Sequence, residues 1–362
     1  MSDPSEDAKG RLVTETPEVE EEDEDEGPEE GQQEPDAETK AEAEARAQRE
    51  AVAETPPTPP RVRKIDFVSR RNWYFLVSLL IIVPGIFFMV RSGFALGIDF
   101  AGGTEFTVAF TGRPTQAQVE SAVAAQSAGG SVISTGNGGY IIRTPPLTPA
   151  RQKTFEDALR TTVGPYDLQQ VLEVGGTIAG ETIRLALLSV VLAAIAILAL
   201  LTFRFRNVPG GVRAGFQFGG SALAALLHDV FLLTGVFSIL GMGLHLRIGE
   251  INSLFVTAVL TVVGFSVHDT IVVFDRIREN LRVSQRLSFD QVVNLSIMQT
   301  AARSIITSFT VVLVLVAILV SGGDTLKGFA LALLIGIVSG TYSSIFNAAP
   351  LLVVWRKLQP LR

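Results

Sequence analysis

Six stretches of this chain stay apolar for about 20 residues, the length an α-helix needs to cross roughly 30 Å of hydrocarbon at 1.5 Å per residue. They are Trp73–Val90, Ile183–Phe203, Phe218–Leu240, Ile251–Phe274, Ala301–Val320 and Phe329–Trp355. The pattern predicts an α-helical polytopic membrane protein with six transmembrane helices, and a composition that is 47% hydrophobic and 19% charged agrees. With no cysteine in the chain, disulfides, a thiol nucleophile and cysteine-ligated metal centres are excluded. With only His228, His245 and His268, a histidine-built metal site is not expected either.

Charge divides the chain in two. Residues 1–60 hold 21 of the 37 acidic residues and 5 of the 30 basic ones, so this segment carries −16 and the remainder +9. Its Glu, Ala, Pro, Thr and Asp offer too little apolar surface to offset the entropy of ordering, which predicts a disordered acidic tail. The tail lacks the basic start and apolar core of a secretory signal peptide. A solvated extension and a specific acidic docking tail are both compatible with it.

Lys and Arg gather on the cytoplasmic side of membrane proteins. Here they stand before the first span (Arg61, Arg63, Lys64, Arg70, Arg71), between spans two and three (Arg204, Arg206, Arg213), between four and five (Arg276, Arg278, Arg282, Arg286) and after the last (Arg356, Lys357, Arg362). The opposite short loops hold Arg247, with Lys327 at a span edge, so both termini are expected in the cytoplasm. The domain plan is then an acidic tail (1–60), a basic juxtamembrane segment with helix 1 (61–90), an external domain (91–180), helices 2–6 (181–356) and a short cytoplasmic end (357–362).

The external segment has its own pattern. An extended Phe106–Phe110 precedes a helix opened by a Thr115/Gln118 capping box. Strands at Ser131–Ser134 and Tyr140–Arg143 are joined through Gly136-Asn137-Gly138-Gly139. A helix after Thr148-Pro149 and a strand at Asp167–Val174 complete a βαββαβ order, which predicts a small α+β ferredoxin-like domain between helices 1 and 2.

Ionisable residues inside spans are costly and need a reason. Asp269 lies in span four within Ser266-Val-His268-Asp269-Thr270, six residues before Asp275-Arg276; Arg303 lies near the cytoplasmic start of span five, with Thr307 and Thr310 on its helical face; His228-Asp229 sits near mid-depth in span three. Spans four and five are antiparallel and joined on the cytoplasmic side, which puts Asp269 and Arg303 at similar depth and allows them to meet. Burial favours the neutral acid and a nearby guanidinium the carboxylate, so a movement that parts the two would load or release a proton. Membrane potential can drive such a step, at about 2.3 kcal/mol per charge per 100 mV. The plainer readings are that Arg303 snorkels to the headgroups and that His228 and Asp229 form an interhelical hydrogen-bonding pair. Ser253, Thr257, Thr261, Gly264 and His268 make a small or polar stripe with Asp269 on its edge, which reads as a packing surface against a neighbouring helix or partner subunit. Gly336-Ile-Val-Ser-Gly340 in span six permits a further close contact and continues into Thr341, Ser343, Ser344 and Asn347. There is no phosphate-binding Gly-xxxx-Gly-Lys-Ser/Thr run, zinc-protease motif or catalytic triad, so the reading is not that of an enzyme.

As a set, these residues resemble a known family. Gly97-Ile-Asp99-Phe100-Ala-Gly102-Gly103-Thr104, His228-Asp229-Val230, the run from Val263 to Asn280, Gln299 to Ser308, and Gly336 to Ile345 are similar, in that order, to the SecF family of the bacterial Sec translocase, part of the SecD/SecF group in the resistance-nodulation-division superfamily. The likeness runs from about Ile65 to Lys357 and leaves out the acidic tail. It implies a six-span half-transporter of the bacterial inner membrane that pairs with a SecD-like half. Together they would use the proton gradient to help draw preproteins through the SecYEG channel, with SecA and YajC in the larger complex. The coupling ion would be the proton, with no bound cofactor, and the partners would be proteins and the lipid bilayer rather than nucleic acid.

By the same resemblance Asp269 and Arg303 are the proton relay, flanked by Ser266 and Thr270, with His268, Thr307, His228 and Asp229 as relay or packing support. The Gly97–Thr104 segment is a signature at the external mouth, its glycines read as backbone turns and Asp99 left without a chemical role. Gly264, Gly336 and Gly340 are assigned to helix packing. His268 departs from the Asn common before the key aspartate, either as a neutral hydrogen-bond partner or as a second titratable group. Two other classes stay open: a non-transporting scaffold of the translocon, and an exporter subunit for lipids or small molecules.

Overall fold

The structure, a computed structural model, describes residues 66–126, 130–136, 138–284 and 286–360. The acidic tail, the basic residues Arg61, Arg63 and Lys64, Asn137 of the expected turn, and Arg362 lie outside the described residues.

The elements are α1 (Arg71–Ser92), a short α2 (Ile98–Ala101), β1 (Gly103–Phe110), α3 (Gln116–Gln126), β2 (Ser131–Gly136), β3 (Gly139–Thr144), α4 (Pro149–Thr162), β4 (Tyr166–Val174), α5 (Gly176–Arg204), α6 (Gly211–Ser238), α7 (Ser253–Val283), α8 (Phe289–Ser321), α9 (Asp324–Ser343) and α10 (Ala349–Leu358). Six helical units are long and apolar enough to cross a membrane: α1, α5, α6 with its π-helical end, α7, α8, and α9 continued through a π-helical turn into α10.

Their burial separates an inner from an outer set. Half of the most apolar window of α7 is buried and 56% of that of α9–α10, against 6% for α5 and 11% for α1. Spans with small and hydroxyl residues therefore form the interior, and spans that are apolar all round lie outside them. The contact between α7 and α9 is close because Gly336 faces Val262 and Gly340 faces Ser266; a β-carbon at Gly336 would overlap the Val262 methyls. At one end of the bundle Phe205 stacks on Phe218 at 4.9 Å, and Phe274 meets both edge-on.

Between α1 and α5 the expected order β1–α3–β2–β3–α4–β4 is present, as an antiparallel four-stranded sheet in the strand order β2-β3-β1-β4. Alternation along β1 sends Phe106, Val108 and Phe110 inward, where Val119 and Val123 of α3 and Phe155 and Leu159 of α4 cover them. The Gln118 side chain accepts from the Thr115 backbone N–H at 2.9 Å, half of the anticipated capping box. Thr148 stands at the N-cap of α4 with Pro149 behind it, but its side chain makes no cap hydrogen bond.

The signature segment joins this domain to the membrane helices. The Gly97 N–H donates to the Ile251 carbonyl and the Ile251 N–H to the Ala95 carbonyl, both at 2.8 Å. Asp99 accepts from the Ser253 N–H at 2.9 Å, at the first residue of α7. Asp99 thus has a role that its sequence context did not disclose: it satisfies a free amide at the N-terminus of span four, where negative charge is also favoured by the helix dipole. Gly102 and Gly103 take φ of 70° and 120°, backbone conformations that favour glycine, where the chain passes from α2 into β1.

Candidate functional site in the membrane core

The two aspartates inside the bundle are both buried and are held very differently. Asp229 of α6 is 1% exposed and accepts hydrogen bonds from Ser266 of α7 (2.8 Å) and from Ser339 (2.7 Å) and Ser343 (2.6 Å) of α9. His228 Nδ1 lies 3.0 Å from its Oδ1. Each carboxyl oxygen therefore has two partners at ordinary hydrogen-bond distance. The Ser343 hydroxyl also lies 3.2 Å from the Gly340 carbonyl, but its single proton goes to the closer carboxylate. His228 Nε2 is buried without a hydrogen-bond partner among the described residues, and its ring stacks near Tyr342 at 6.5 Å.

Asp269 of α7 is 2% exposed and accepts from Thr341 of α9 at 3.4 Å. That is long for a hydroxyl donor. Thr341 also points at the Ile337 carbonyl (2.9 Å) and touches the Ser308 hydroxyl of α8, so its proton is contested. Ser304 and Ser308 face the same carboxyl group, and Ser304 Oγ is buried with no hydrogen-bond partner among the described residues. Asp269 sits in a small hydroxyl-lined space with few firm donors. Thr270, beside it, bonds the Ser266 carbonyl at 3.0 Å and the Ser344 hydroxyl at 2.9 Å, where α9 gives way to its π-helical turn.

Arg303 does not meet Asp269. The residues of α8 that face the core are Thr300, Ser304 and Ser308, spaced by four, whereas Arg303, Thr307 and Thr310 are exposed on another face. The depth argument is sound, because Ser304, the next residue, does face Asp269. One residue on a helix is a rotation of 100°, which turns Arg303 outward. The expected Asp269–Arg303 contact is thus corrected within this chain. His268 is likewise exposed, in line with Ser253, Thr257, Thr261 and Gly264. Nothing lies within 4 Å of the place a Gly264 β-carbon would take, so Gly264 packs no helix of this chain, in contrast to Gly336 and Gly340. Ser304 and Ser339 were not singled out by sequence reasoning. The available signal was the four-residue spacing of hydroxyls in Thr300/Ser304/Ser308 and Ser339/Ser343.

A second polar site lies outside the membrane. Arg143 of β3 pairs with Glu105 of β1 at 2.7 Å and with Glu250, in the loop before α7. Burial works against the Arg143 charge, but Glu250 and Glu105 outweigh it and raise its pKa above the ordinary arginine value. A cavity of about 620 Å³ lies around this ladder, between the sheet and the loop, with Asp99, Arg247 and Lys327 on its walls. Among the described residues no group of three or more His, Asp or Glu is arranged to hold a metal ion.

Comparison with known proteins gives this architecture a family. Residues 154–358 match the model for protein export membrane protein SecD/SecF, C-terminal, and residues 87–112, which include the Gly97–Thr104 segment, match the SecD/SecF GG motif. A protein translocase subunit SecF from Thermobaculum terrenum is 44% identical over 312 residues, covering 82% of this chain and 96% of that protein. One from Anaerolinea thermophila is 38% identical over 296 residues, covering 80% and 94%. The crystal structure of SecDF, a translocon-associated membrane protein from Thermus thermophilus, aligns with a TM-score of 0.72 at 29% identity. That alignment covers 86% of this chain and 41% of the SecDF chain, so this chain spans about two fifths of its length. The matched family model covers more than half of the chain and the relatives are matched almost end to end: the chain belongs to the SecD/SecF family of protein export membrane proteins.

Proposed function

We propose that this chain is the SecF-like half of a proton-driven unit that aids preprotein export through a SecYEG channel in the bacterial cytoplasmic membrane. The observation that carries the reading is Asp269: a carboxyl group buried between α7, α8 and α9, close to hydroxyls yet firmly bonded to none, in a part of the molecule expected to lie in lipid. A group so placed can exchange a proton at little cost in broken hydrogen bonds. A conformational change that brings a cation to this carboxyl group or takes one away would unload and load its proton.

The cation is Arg303, brought to Asp269 by a rearrangement or matched to a group on the second half. The exposed faces of α7 (Ser253, Thr257, Thr261, Gly264, His268) and α8 (Arg303, Thr307, Thr310) suit cover by a SecD-like subunit rather than lipid. That half would supply the remainder of the SecDF architecture, of which this chain matches two fifths. SecA and YajC are proposed as further members of the assembly, protons as the coupling ion, and no cofactor. Both termini are placed in the cytoplasm by the Lys/Arg bias. The domain between α1 and α5 is read as ferredoxin-like, which its element order and strand order support.

Preprotein export into inverted vesicles carrying the chain, its SecD-like partner and the translocon, with and without a proton gradient, tests the reading. Asp269→Asn is expected to remove the gradient-dependent stimulation, at least about tenfold, while inserting normally. Equal stimulation in variant and wild type would leave the scaffold reading in its place.

A further inference from the structure

Asp229 and Asp269 belong to one hydroxyl network but occupy opposite positions in it. Ser266, three residues before Asp269 on α7, donates to Asp229. Ser339 and Ser343, which flank Thr341 on α9, also donate to Asp229, and Thr341 reaches across to Asp269. Residues two apart on a helix point to nearly opposite sides, so the serines that grip Asp229 orient the threonine that faces Asp269. We infer that Asp229 is a positioning residue: a fixed four-partner acceptor that locks α7 and α9 to α6 and so holds Thr341, and through it Ser308, at the proton-carrying Asp269.

The inference rests on the proton reading of Asp269 and adds a division of labour to it. Protonating Asp229 would turn one of its accepting sites into a donor, and at least one of four close partners would have to rotate away or be lost. Protonating Asp269 disturbs a contested donor at 3.4 Å and the Ser304 and Ser308 hydroxyls that face it, none of them held as closely as the serines on Asp229. Other groups that face Asp229 are accounted for. His228 is on its own helix; Tyr342 of α9 stacks on His228 and donates its hydroxyl to the Tyr74 carbonyl of α1; α7 contributes Ser266, which does not titrate. The bonds that α7 and α9 make to Asp229 among the described residues come from serine hydroxyls.

The test is carbodiimide modification, which labels protonated carboxyl groups in apolar surroundings, read by peptide mass spectrometry on the full chain with its partner in vesicles over a range of pH. In the wild type, Asp269 is expected to be labelled and Asp229, with all four accepting sites taken, to be spared. In the Ser339→Ala/Ser343→Ala variant, which keeps both aspartates, the pH of half-labelling at Asp269 is expected to move by about half a unit, a roughly threefold change in protonated fraction. Gradient-dependent export should fall with it. Ser343→Thr, which keeps a hydroxyl, should restore part of both when combined with native Ser339. Labelling of Asp229 in the wild type, or an unmoved midpoint at Asp269 in a double variant that inserts and pairs normally, would overturn the inference and leave the relay intact. Failure of the relay itself would show differently, as an Asp269 that takes no label or an Asp269→Asn that exports normally.

Discussion

At Gly103 the backbone leaves room for hydrogen alone. Its φ of 120° is outside the range of side-chain-bearing L-residues, and a β-carbon there would strike the Thr144 carbonyl on the neighbouring strand. Gly103→Ala should therefore cost about 2 kcal/mol, visible as faster amide exchange in β1 and β3. The motif's glycines advertised this need in the sequence, since no other residue tolerates such a turn. Asp269 and Arg303 were legible in a more limited way. Their relative level along the two helices follows from counting residues away from a shared connection, and Ser304, the neighbour of Arg303, stands at Asp269. Their azimuth does not follow from counting. It is fixed by which hydroxyls of α8 turn toward α7 and α9, and Arg303 falls outside that set. Asp229 was read as a relay or packing candidate because its sequence neighbourhood shows only His228, whereas its serine partners come from 37, 110 and 114 residues away.

Whole elements were easier to foresee than their ends. All six spans and all four strands lie where hydrophobic length and alternation put them, because those signals are local. The strands extend beyond expectation, β1 beginning at Gly103 rather than Phe106, because sheet pairing recruits residues whose own propensity is neutral. The helices α7 and α8 also run past their apolar parts as a hairpin. Asn280 there donates to Ser296 (2.8 Å) and Gln299 (2.9 Å), so polar contacts continue what hydrophobic length could not signal. The contact between α7 and α9 depends on small residues, and Gly336→Leu should force them apart. Overpacking against Val262 is expected to cost roughly 2 kcal/mol and to lower the thermal stability of the purified complex. Gly264→Leu should leave the isolated chain unchanged, since the same residue type at that site meets open space, and should impair pairing with the second half.

On the scale of the whole molecule, the external domain is fastened to the membrane helices by the Gly97/Asp99 junction with Ile251 and Ser253 and by the Arg143–Glu250 pair, among other contacts. Arg143→Ala would leave Glu105 and Glu250 facing each other half-buried, at a cost of roughly 3 kcal/mol to docking, measurable as faster exchange in β3 and residues 247–252. Because the Arg143 pKa is raised, its contribution is fully in place below the ordinary arginine range and is lost only as pH rises through its still higher folded value. Alkaline buffers short of that range should leave the junction closed. The Asp99–Ser253 bond gives span four the geometry of a rod held at its tip. Sixteen residues separate Ser253 from Asp269, about 24 Å along the helix axis. A tilt of about 10° pivoting at the carboxyl group would sweep the tip, and the domain tied to it, about 4 Å sideways. Leverage of this kind would give a small tilt at the depth of Asp269 a displacement at the external domain comparable to the length of a single residue in an extended polypeptide.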